Sequence, residues 1–186
     1  MNNLRKAVLQ WAVLLGSASI VFAIDQGSKA WVTSTLAFGE SLTPVPALRD
    51  YFSITPSANR GAAFSIFPQA GDIFLIIALV MIVGILIFYR RVPAGHWVER
   101  IALGLLLGGV SGNAIDRIRL GYVVDFVHLQ AAFLHLSNVS NLADHSIVLA
   151  IAILFIVQWR SSAREHSTAS DPISVKPGDA EEKAGS

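Results

Sequence analysis

The chain has 186 residues, of which 53% are hydrophobic and 15% charged, so it is long enough for one domain and too apolar for an ordinary soluble one. A formal net charge of +1 gives no reason to expect a nucleic-acid partner. Because the sequence has no cysteine, disulfides, thiol catalysis and thiolate metal sites are excluded.

Four apolar runs are long enough, with their flanks, to cross a membrane. A hydrocarbon core of about 30 Å needs about 20 helical residues. We therefore predict membrane spans at about residues 8–24, 73–89, 98–115 and 145–161, the last of which depends on polar residues at its ends. The sequence thus predicts a mainly α, polytopic membrane protein with four transmembrane helices, in a membrane-embedded domain of about residues 1–160.

The first apolar run has two interpretations. Arg5 and Lys6, an apolar run and small residues near Ala18 and Ala23 also describe a cleavable signal peptide. Three further spans, and the polar sequence DQGSK directly after the run, favour a first helix that is retained.

The DQGSK sequence, residues 25–29, places an acid and a base four residues apart. On a helix, Asp25 and Lys29 can form an ion pair across one turn. Ser28 beside Lys29 raises the alternative of a Ser-Lys hydrolase, but adjacent residues point about 100° apart on a helix and cannot readily share a proton.

Residues 38–68 contain too many helix-breaking residues to form a long helix. Short runs at 42–45 and 51–55 have the character of strands, so we predict a small β element here. Asn59 and Gly61 can form a turn, because both tolerate positive φ. The helix-breaking residues are Pro44, Pro46, Pro56 and Gly61.

The third span carries small residues at a spacing of four. Such rows share a helix face and let the backbone of another helix approach closely in lipid. Polar residues follow on the same faces, so the helix delivers polar groups to one membrane surface. The first row is Gly104, Gly108, Gly112 and Asp116, and the second is Gly109, Asn113 and Arg117.

Asp125 and Asp144 each lie beside an apolar run and not inside it. A carboxylate at the membrane centre costs about 2.5 to 3.5 kcal/mol, which favours a position near the boundary. Two carboxyl groups in a partly dehydrated cleft would share one proton, as an aspartic protease requires to activate water. Each aspartate also has a purely structural interpretation. Asp125 could lie in a surface turn after Gly121, and Asp144 could start a helix together with Asn141.

The basic residues of the loops orient the bundle, because they concentrate on the cytoplasmic side. This places both termini in the cytoplasm and places Asp25, Asn59, Asp125 and Asp144 on the exterior. Residues 161–186 are rich in Ser, Ala, Asp, Glu and Pro and lack aromatic residues, so we expect a disordered cytoplasmic tail. The basic residues on the cytoplasmic side are Arg5, Lys6, Arg90, Arg91, Arg100, Arg160 and Arg164.

Four sequence stretches occur in the order, and at about the spacing, of the motifs of the lipoprotein signal peptidases (signal peptidase II). The chain resembles this family over roughly residues 8 to 160. The stretches are DQGSK at 25–29, NRGAAFS at 59–65, the block from Gly108 to Phe126, and NLAD at 141–144.

The resemblance implies an aspartic endopeptidase of the bacterial inner membrane, with a small exterior β-sheet that cradles substrate. It implies cleavage of the signal peptide from diacylglyceryl-modified prolipoproteins, just before the lipidated cysteine. Asp125 and Asp144 would form the catalytic dyad. The expected partners are the lipid-modified prolipoprotein and membrane lipid, with no cofactor and a monomeric enzyme. The residues expected to bind substrate or support the site are Asp25, Lys29, Asn59, Gly61, Asn113, Asp116, Arg117, Asn141 and Ala143.

Two positions depart from the family pattern. Val110-Ser111 stands where alanine and an aliphatic residue are more usual, and Ser140 stands where an aromatic residue usually precedes the asparagine. Neither is a dyad position, so the departures concern the substrate pocket and not the reaction.

Two other classes of function compete with this interpretation. His128, His135 and His145 suggest zinc, but no HExxH motif or short paired spacing is present. A transport or scaffold protein would carry carboxylates within its spans and a repeat between its halves. The spans here are nearly free of charge, and no convincing repeat is visible.

Overall fold

The computed structural model describes residues 3–61, 70–131 and 136–169. Among these residues, four helices are long and apolar enough to span a membrane, and a small antiparallel sheet accompanies them. The predicted fold class is therefore confirmed. The elements in chain order are α1 (Asn3–Thr35), a 3-10 turn (Pro46–Leu48), β1 (Phe52–Asn59), α2 (Ala70–Tyr89), α3 (Trp97–Leu120), β2 (Val123–Ala131), β3 (Leu136–Ser140) and α4 (Leu142–Ala169).

The chain divides into two compact units, Met1–Leu154 and Phe155–Ser186. The first unit contains α1, α2, α3, the sheet and the start of α4. The described part of the second unit is the remainder of α4, in which the ring centroids of Phe155 and Trp159 lie 5.9 Å apart.

Helix α3 is the centre of the first unit. In its spanning segment 61% of the residues are buried, against 11% in each of the other three spans. The other helices expose large apolar side chains such as Ile76 and Val80 on α2, as helices that face lipid must.

The glycine rows of α3 explain its close packing. A methyl group on Gly108 would lie 2.5 Å from the carbonyl oxygen of Ala18 in α1. A methyl group on Gly109, on the neighbouring row, would lie 2.6 Å from the carbonyl oxygen of Ala143 in α4. Only a hydrogen fits at these positions, so the two rows hold α3 against two different helices, as the spacing predicted.

The sheet has the order β1-β2-β3, with both pairs antiparallel. Ser57 lies opposite Asp125, and Val127 lies opposite Ser140. Of the strands predicted within 38–68, the first reduces to a single bridge between Leu42 and Ile54. The second is β1, which runs on to Asn59. Residues 62–69 lie outside the described part of the chain.

Strands β2 and β3 were not predicted, and they change the position of Asp125. The turn interpretation of Asp125 is wrong: Gly121, with φ of 77°, ends α3, and Asp125 lies within the central strand and is 2% exposed. Two residues suffice to turn the chain from α3 into β2, because glycine adopts the left-handed conformation without strain.

All four helices extend beyond the predicted spans, and α1 and α4 do so most. α1 continues to Thr35, because its last turns pack on the rest of the first unit, where Val32 is fully buried. α4 continues to Ala169, into the segment that was expected to be disordered. Residues 161–169 contain no glycine or proline to end the helix. Residues 170–186 lie outside the described residues.

Candidate active site

The carboxyl group of Asp125 accepts hydrogen bonds from two side-chain amides. Its Oδ2 accepts a hydrogen bond from Asn59 Nδ2 at 2.8 Å, and its Oδ1 accepts one from Asn141 Nδ2 at 2.6 Å. Asn59 reaches it from β1, where it pairs with Val123, two residues before Asp125. The backbone N–H of Gly61, which has φ of 86°, donates to Asn59 Oδ1 at 2.9 Å and fixes the direction of that amide.

Asp144 lies in the first turn of α4 and is partly exposed. Its Oδ1 accepts from Asn113 Nδ2 at 2.7 Å, and its Oδ2 accepts from the backbone N–H of Asn141 at 3.3 Å. The backbone N–H of Asp144 in turn donates to Asn141 Oδ1 at 2.9 Å. This reciprocal pair caps the helix, as the sequence predicted.

Asn141 links the two aspartates through its side chain and its backbone. The residue is fully buried, and its Nδ2 donates to Asp125 while its backbone N–H donates to Asp144. The same Nδ2 approaches Asn113 Oδ1 at 3.2 Å. A chain of side-chain hydrogen bonds therefore runs from the Asp125 carboxyl group through Asn141 and Asn113 to the Asp144 carboxyl group.

The two carboxyl groups influence each other. Burial raises the pKa of Asp125 from 3.8 to about 6, and the negative charge of Asp144 adds to the rise. The hydrogen bonds from Asn59 and Asn141 and the charge of Lys29 oppose it. A pair in which one carboxyl group keeps its proton while its neighbour is ionised is the arrangement that activates water for hydrolysis.

A buried ion cluster lies behind the pair. Lys29 Nζ lies 2.8 Å from Asp25 Oδ2 and 2.7 Å from Asp116 Oδ2. These three side chains are at most 4% exposed, so the ion pair predicted between residues 25 and 29 is present and has a second acid. A methyl group on Gly112 would lie 2.5 Å from Asp25 Oδ2, so this glycine makes room for the cluster.

The cluster holds the backbone next to each candidate dyad residue. Asp25 Oδ1 accepts from the N–H of Ala143 at 3.0 Å, directly before Asp144. Asp116 Oδ2 accepts from the N–H of Val124 at 3.3 Å, directly before Asp125. Each acid of the cluster thus fixes one aspartate of the pair.

Arg117 lies one turn after Asn113 and is partly buried. It donates to the backbone carbonyl of Asn113 at 3.2 Å, and its charge acts on both Asp125 and Asp144.

All the site residues predicted from the sequence therefore lie in one network. Gln26 was missed: its Nε2 donates to Asp116 Oδ1 at 2.9 Å and to the carbonyl of Gly112 at 3.3 Å. Its place within the DQGSK motif is the signal that could have found it.

Two of the three histidines that suggested zinc form hydrogen bonds with different serine residues. His128 contacts Ser137, and His145 contacts Ser140. His135 lies outside the described residues. Within the described ranges, no three histidine, cysteine, aspartate or glutamate side chains are grouped so that they could hold a metal ion.

Comparison with known proteins identifies the family. The family model for signal peptidase (SPase) II matches residues 17–160. The lipoprotein signal peptidase of Halothermothrix orenii is 38% identical over 141 residues, which cover 76% of this chain and 91% of that protein. The lipoprotein signal peptidase of Syntrophotalea carbinolica is 34% identical over 161 residues, which cover 85% and 98%.

Solved structures agree with this result. One structure of a bacterial membrane enzyme superposes with a TM-score of 0.71 at 26% identity, covering 81% of this chain and 90% of that one. A second has a TM-score of 0.70 at 27% identity, covering 78% and 91%. This chain is a multi-pass membrane protease and belongs to the signal peptidase II family.

Proposed function

We propose that this protein is an aspartic endopeptidase that removes the signal peptide from diacylglyceryl-modified prolipoproteins, just before the lipidated cysteine. The observation that carries the proposal is the placement of Asp125 and Asp144. They share the Asn141 side chain and backbone, and they differ in burial. The names of the relatives support the substrate class.

The environments of the two aspartates support different roles. Asp144 is the more exposed of the two, and its carboxyl group accepts two N–H hydrogen bonds at a helix N-terminus, which leaves it accessible to a water. Asp125 is buried, and its raised pKa favours its protonated form. We therefore assign Asp144 as the general base and Asp125 as the general acid of a pair that titrates as a unit.

The first step forms the bond between water and the scissile carbonyl carbon. Asp144 takes a proton from the water as its oxygen attacks, and Asp125 gives its proton to the carbonyl oxygen. The product is a tetrahedral diol, with Asp144 protonated and Asp125 ionised.

The second step breaks the carbon–nitrogen bond. Asp144 gives its proton to the leaving nitrogen, which becomes the free amine of the lipidated cysteine. One hydroxyl proton of the diol returns to Asp125, and the signal peptide leaves with a new carboxyl group. Both aspartates then hold their starting protonation states.

The environment of the site supports a position at the outer surface of the bacterial inner membrane. The network gathers at the end of the bundle where α1 and α3 finish and α4 starts. The opposite ends of α1, α2 and α3 carry Arg5, Lys6, Arg90, Arg91 and Arg100, and the positive-inside rule favours the cytoplasm for this side. The lipid chains of the substrate would lie against the apolar helices while its peptide crosses the site beside the sheet.

The reaction is tested with purified protein in detergent or lipid and a prolipoprotein that carries diacylglyceryl on its cysteine. We expect conversion to the mature lipoprotein with a chelator present, and no conversion of the same precursor without the lipid. A new N-terminus at any residue other than the lipidated cysteine would contradict the proposal. So would activity that requires an added metal ion.

A further inference from the structure

We propose that Lys29 is a positioning residue that fixes the direction of the Asn113 amide, so that Asn113 presents an N–H to Asp144. This inference rests on the proposed dyad. It assigns Lys29 a role in readying the general base, beyond a structural ion pair or contact with substrate.

The three N–H groups of the Lys29 ammonium are all used. Two meet the carboxylates of Asp25 and Asp116, and the third donates to Asn113 Oδ1 at 3.1 Å. An ammonium group has no acceptor, so the atom of Asn113 that faces it must be the oxygen. The nitrogen of the same amide must then face Asp144, where it lies 2.7 Å from Oδ1.

Without Lys29, the amide of Asn113 loses its main constraint. Asn141 Nδ2, at 3.2 Å, would be the remaining donor to Asn113 Oδ1, and its shorter bond goes to Asp125 at 2.6 Å. A reversed amide would turn its oxygen toward the Asp144 carboxylate. Two acceptors would then face each other, which disfavours the ionised form that takes the proton from water.

The two acids that hold Lys29 in place strengthen this interpretation. Each accepts an N–H from the residue directly before one member of the dyad, Ala143 in one case and Val124 in the other. The Lys29 ammonium therefore contacts both acids that hold the backbone next to the two aspartates, and it also contacts the amide of Asn113 that donates to Asp144. A buried ion pair of this kind contributes little net stability, so its value lies in the geometry that it fixes.

Several charged or titratable groups surround Asp144, and a test must separate them from Lys29. They come from every element packed near it. They are Asp25 and Lys29 from α1, Asp116 and Arg117 from α3, Asp125 from β2, and His145 on α4 itself.

The test compares Lys29→Met/Asp116→Asn with Asp116→Asn alone. The double variant loses one cation and one anion, so the cluster keeps the net charge of the wild type, against which the pH profiles are compared. Asp116→Asn alone differs from the double variant by one cation and shows how much of the loss in kcat comes from Asp116. Against Asp116→Asn, we expect kcat on the lipidated prolipoprotein to fall by about 100-fold with little change in KM, because the base is misplaced and not the substrate. Relative to the wild type, whose cluster has the same net charge, the acid limb of the profile of kcat against pH should move to higher pH.

A double-mutant cycle shows whether Lys29 acts through Asn113. In the Asp116→Asn background, Lys29→Met should cost less than about 3-fold in kcat once Asn113→Ala is present, because the amide that it orients is gone. Losses that multiply, or an acid limb that stays in place, would overturn the proposal. A structural role alone would lower thermal stability without moving that limb.

Lys29→Gln keeps an N–H donor without the charge and should retain more kcat than Lys29→Met. If the methionine variant does not accumulate in membranes, the glutamine variant takes its place in the cycle, with a smaller loss in kcat expected, which again falls below about 3-fold once Asn113→Ala is present. Failure of the underlying function is visible separately, because the wild type would then fail to convert the lipidated precursor in the same assay.

Discussion

At the scale of single residues, the site shows how two identical side chains acquire different chemistry. Asp125 lies in the central strand of the sheet and is 2% exposed, whereas Asp144 lies in the first turn of a helix and is reached by solvent. Burial raises the pKa of the first to about 6. The backbone position therefore sets the difference in burial on which the proposed acid and base roles depend.

The raised pKa of Asp125 predicts a pH dependence of stability. In the unfolded chain the pKa of Asp125 returns to 3.8, so between pH 3.8 and about pH 6 only the folded state binds the proton. This group thus stabilises the fold at low pH, and its contribution is lost as pH rises through about 6. We expect the Tm of the wild type, relative to that of Asp125→Asn, to fall across this window.

Thermal unfolding in detergent, followed from about pH 4 to about pH 8, measures this difference. The Asn side chain does not titrate, so the comparison cancels the pH dependence of all other groups that the two proteins share. A difference in Tm that stays constant or grows with pH would mean that Asp125 does not hold a proton in the folded state.

The identities of the site residues could be predicted from the sequence, but their partners could not. The bond between Asp25 and Lys29 follows from their spacing of four. The bond from the N–H of Ala143 to Asp25 joins residues 118 apart in sequence, and no local pattern specifies such a contact. The contact between Lys29 and Asp116 and the part played by Gln26 were missed for the same reason.

At the scale of elements, the glycine rows of α3 decide how closely the helices approach. The spacing of four predicted close packing, and the structure shows that one row faces α1 and the other faces α4. Position 108 is a strict case, because the atom that a methyl group would strike is a backbone oxygen, which a side-chain rotation cannot move.

Gly108→Ala should therefore destabilise the bundle by about 1 to 3 kcal/mol, as overpacking does. Gly84→Ala on α2 is the matched control: nothing lies within 4 Å of its added methyl group. The control should be neutral or stabilised by up to about 1 kcal/mol through helix propensity. Equal thermal stabilities of the two purified variants would contradict the packing described for α3.

The sheet was the element that the sequence predicted least well. Val123, Val124, Asp125 and Phe126 are all nearly fully buried, so β2 lacks the alternation of apolar and polar residues that marks a strand with one exposed face. Its partners, β1 and β3, become recognisable only through pairing. A run that is buried on both faces resembles a turn or the end of a helix when read alone.

At the scale of the whole molecule, the four spans bring sequence stretches more than 100 residues apart to one end of the bundle. Composition and run length predicted the spans, because lipid exposure restricts which residues a helix can carry. The meeting of Asp25, Asn59, Asp125 and Asp144 in one network depends on how the helices and the sheet pack. That packing gathers the polar residues of the candidate site at the end of the helices where α1 and α3 finish and α4 starts.

The central claim is that Asp125 and Asp144 together carry out hydrolysis. The most direct measurement is the single-turnover rate of prolipoprotein conversion by Asp125→Asn and by Asp144→Asn, with membrane expression and Tm confirmed. Asp50→Asn is the matched control, because the Asp50 side chain is 76% exposed and pairs only with Arg49 among the described residues. We predict that each dyad variant loses at least about 10⁴-fold in rate, while the control keeps the wild-type rate. Conversion by either dyad variant at a rate near that of the control would contradict the claim.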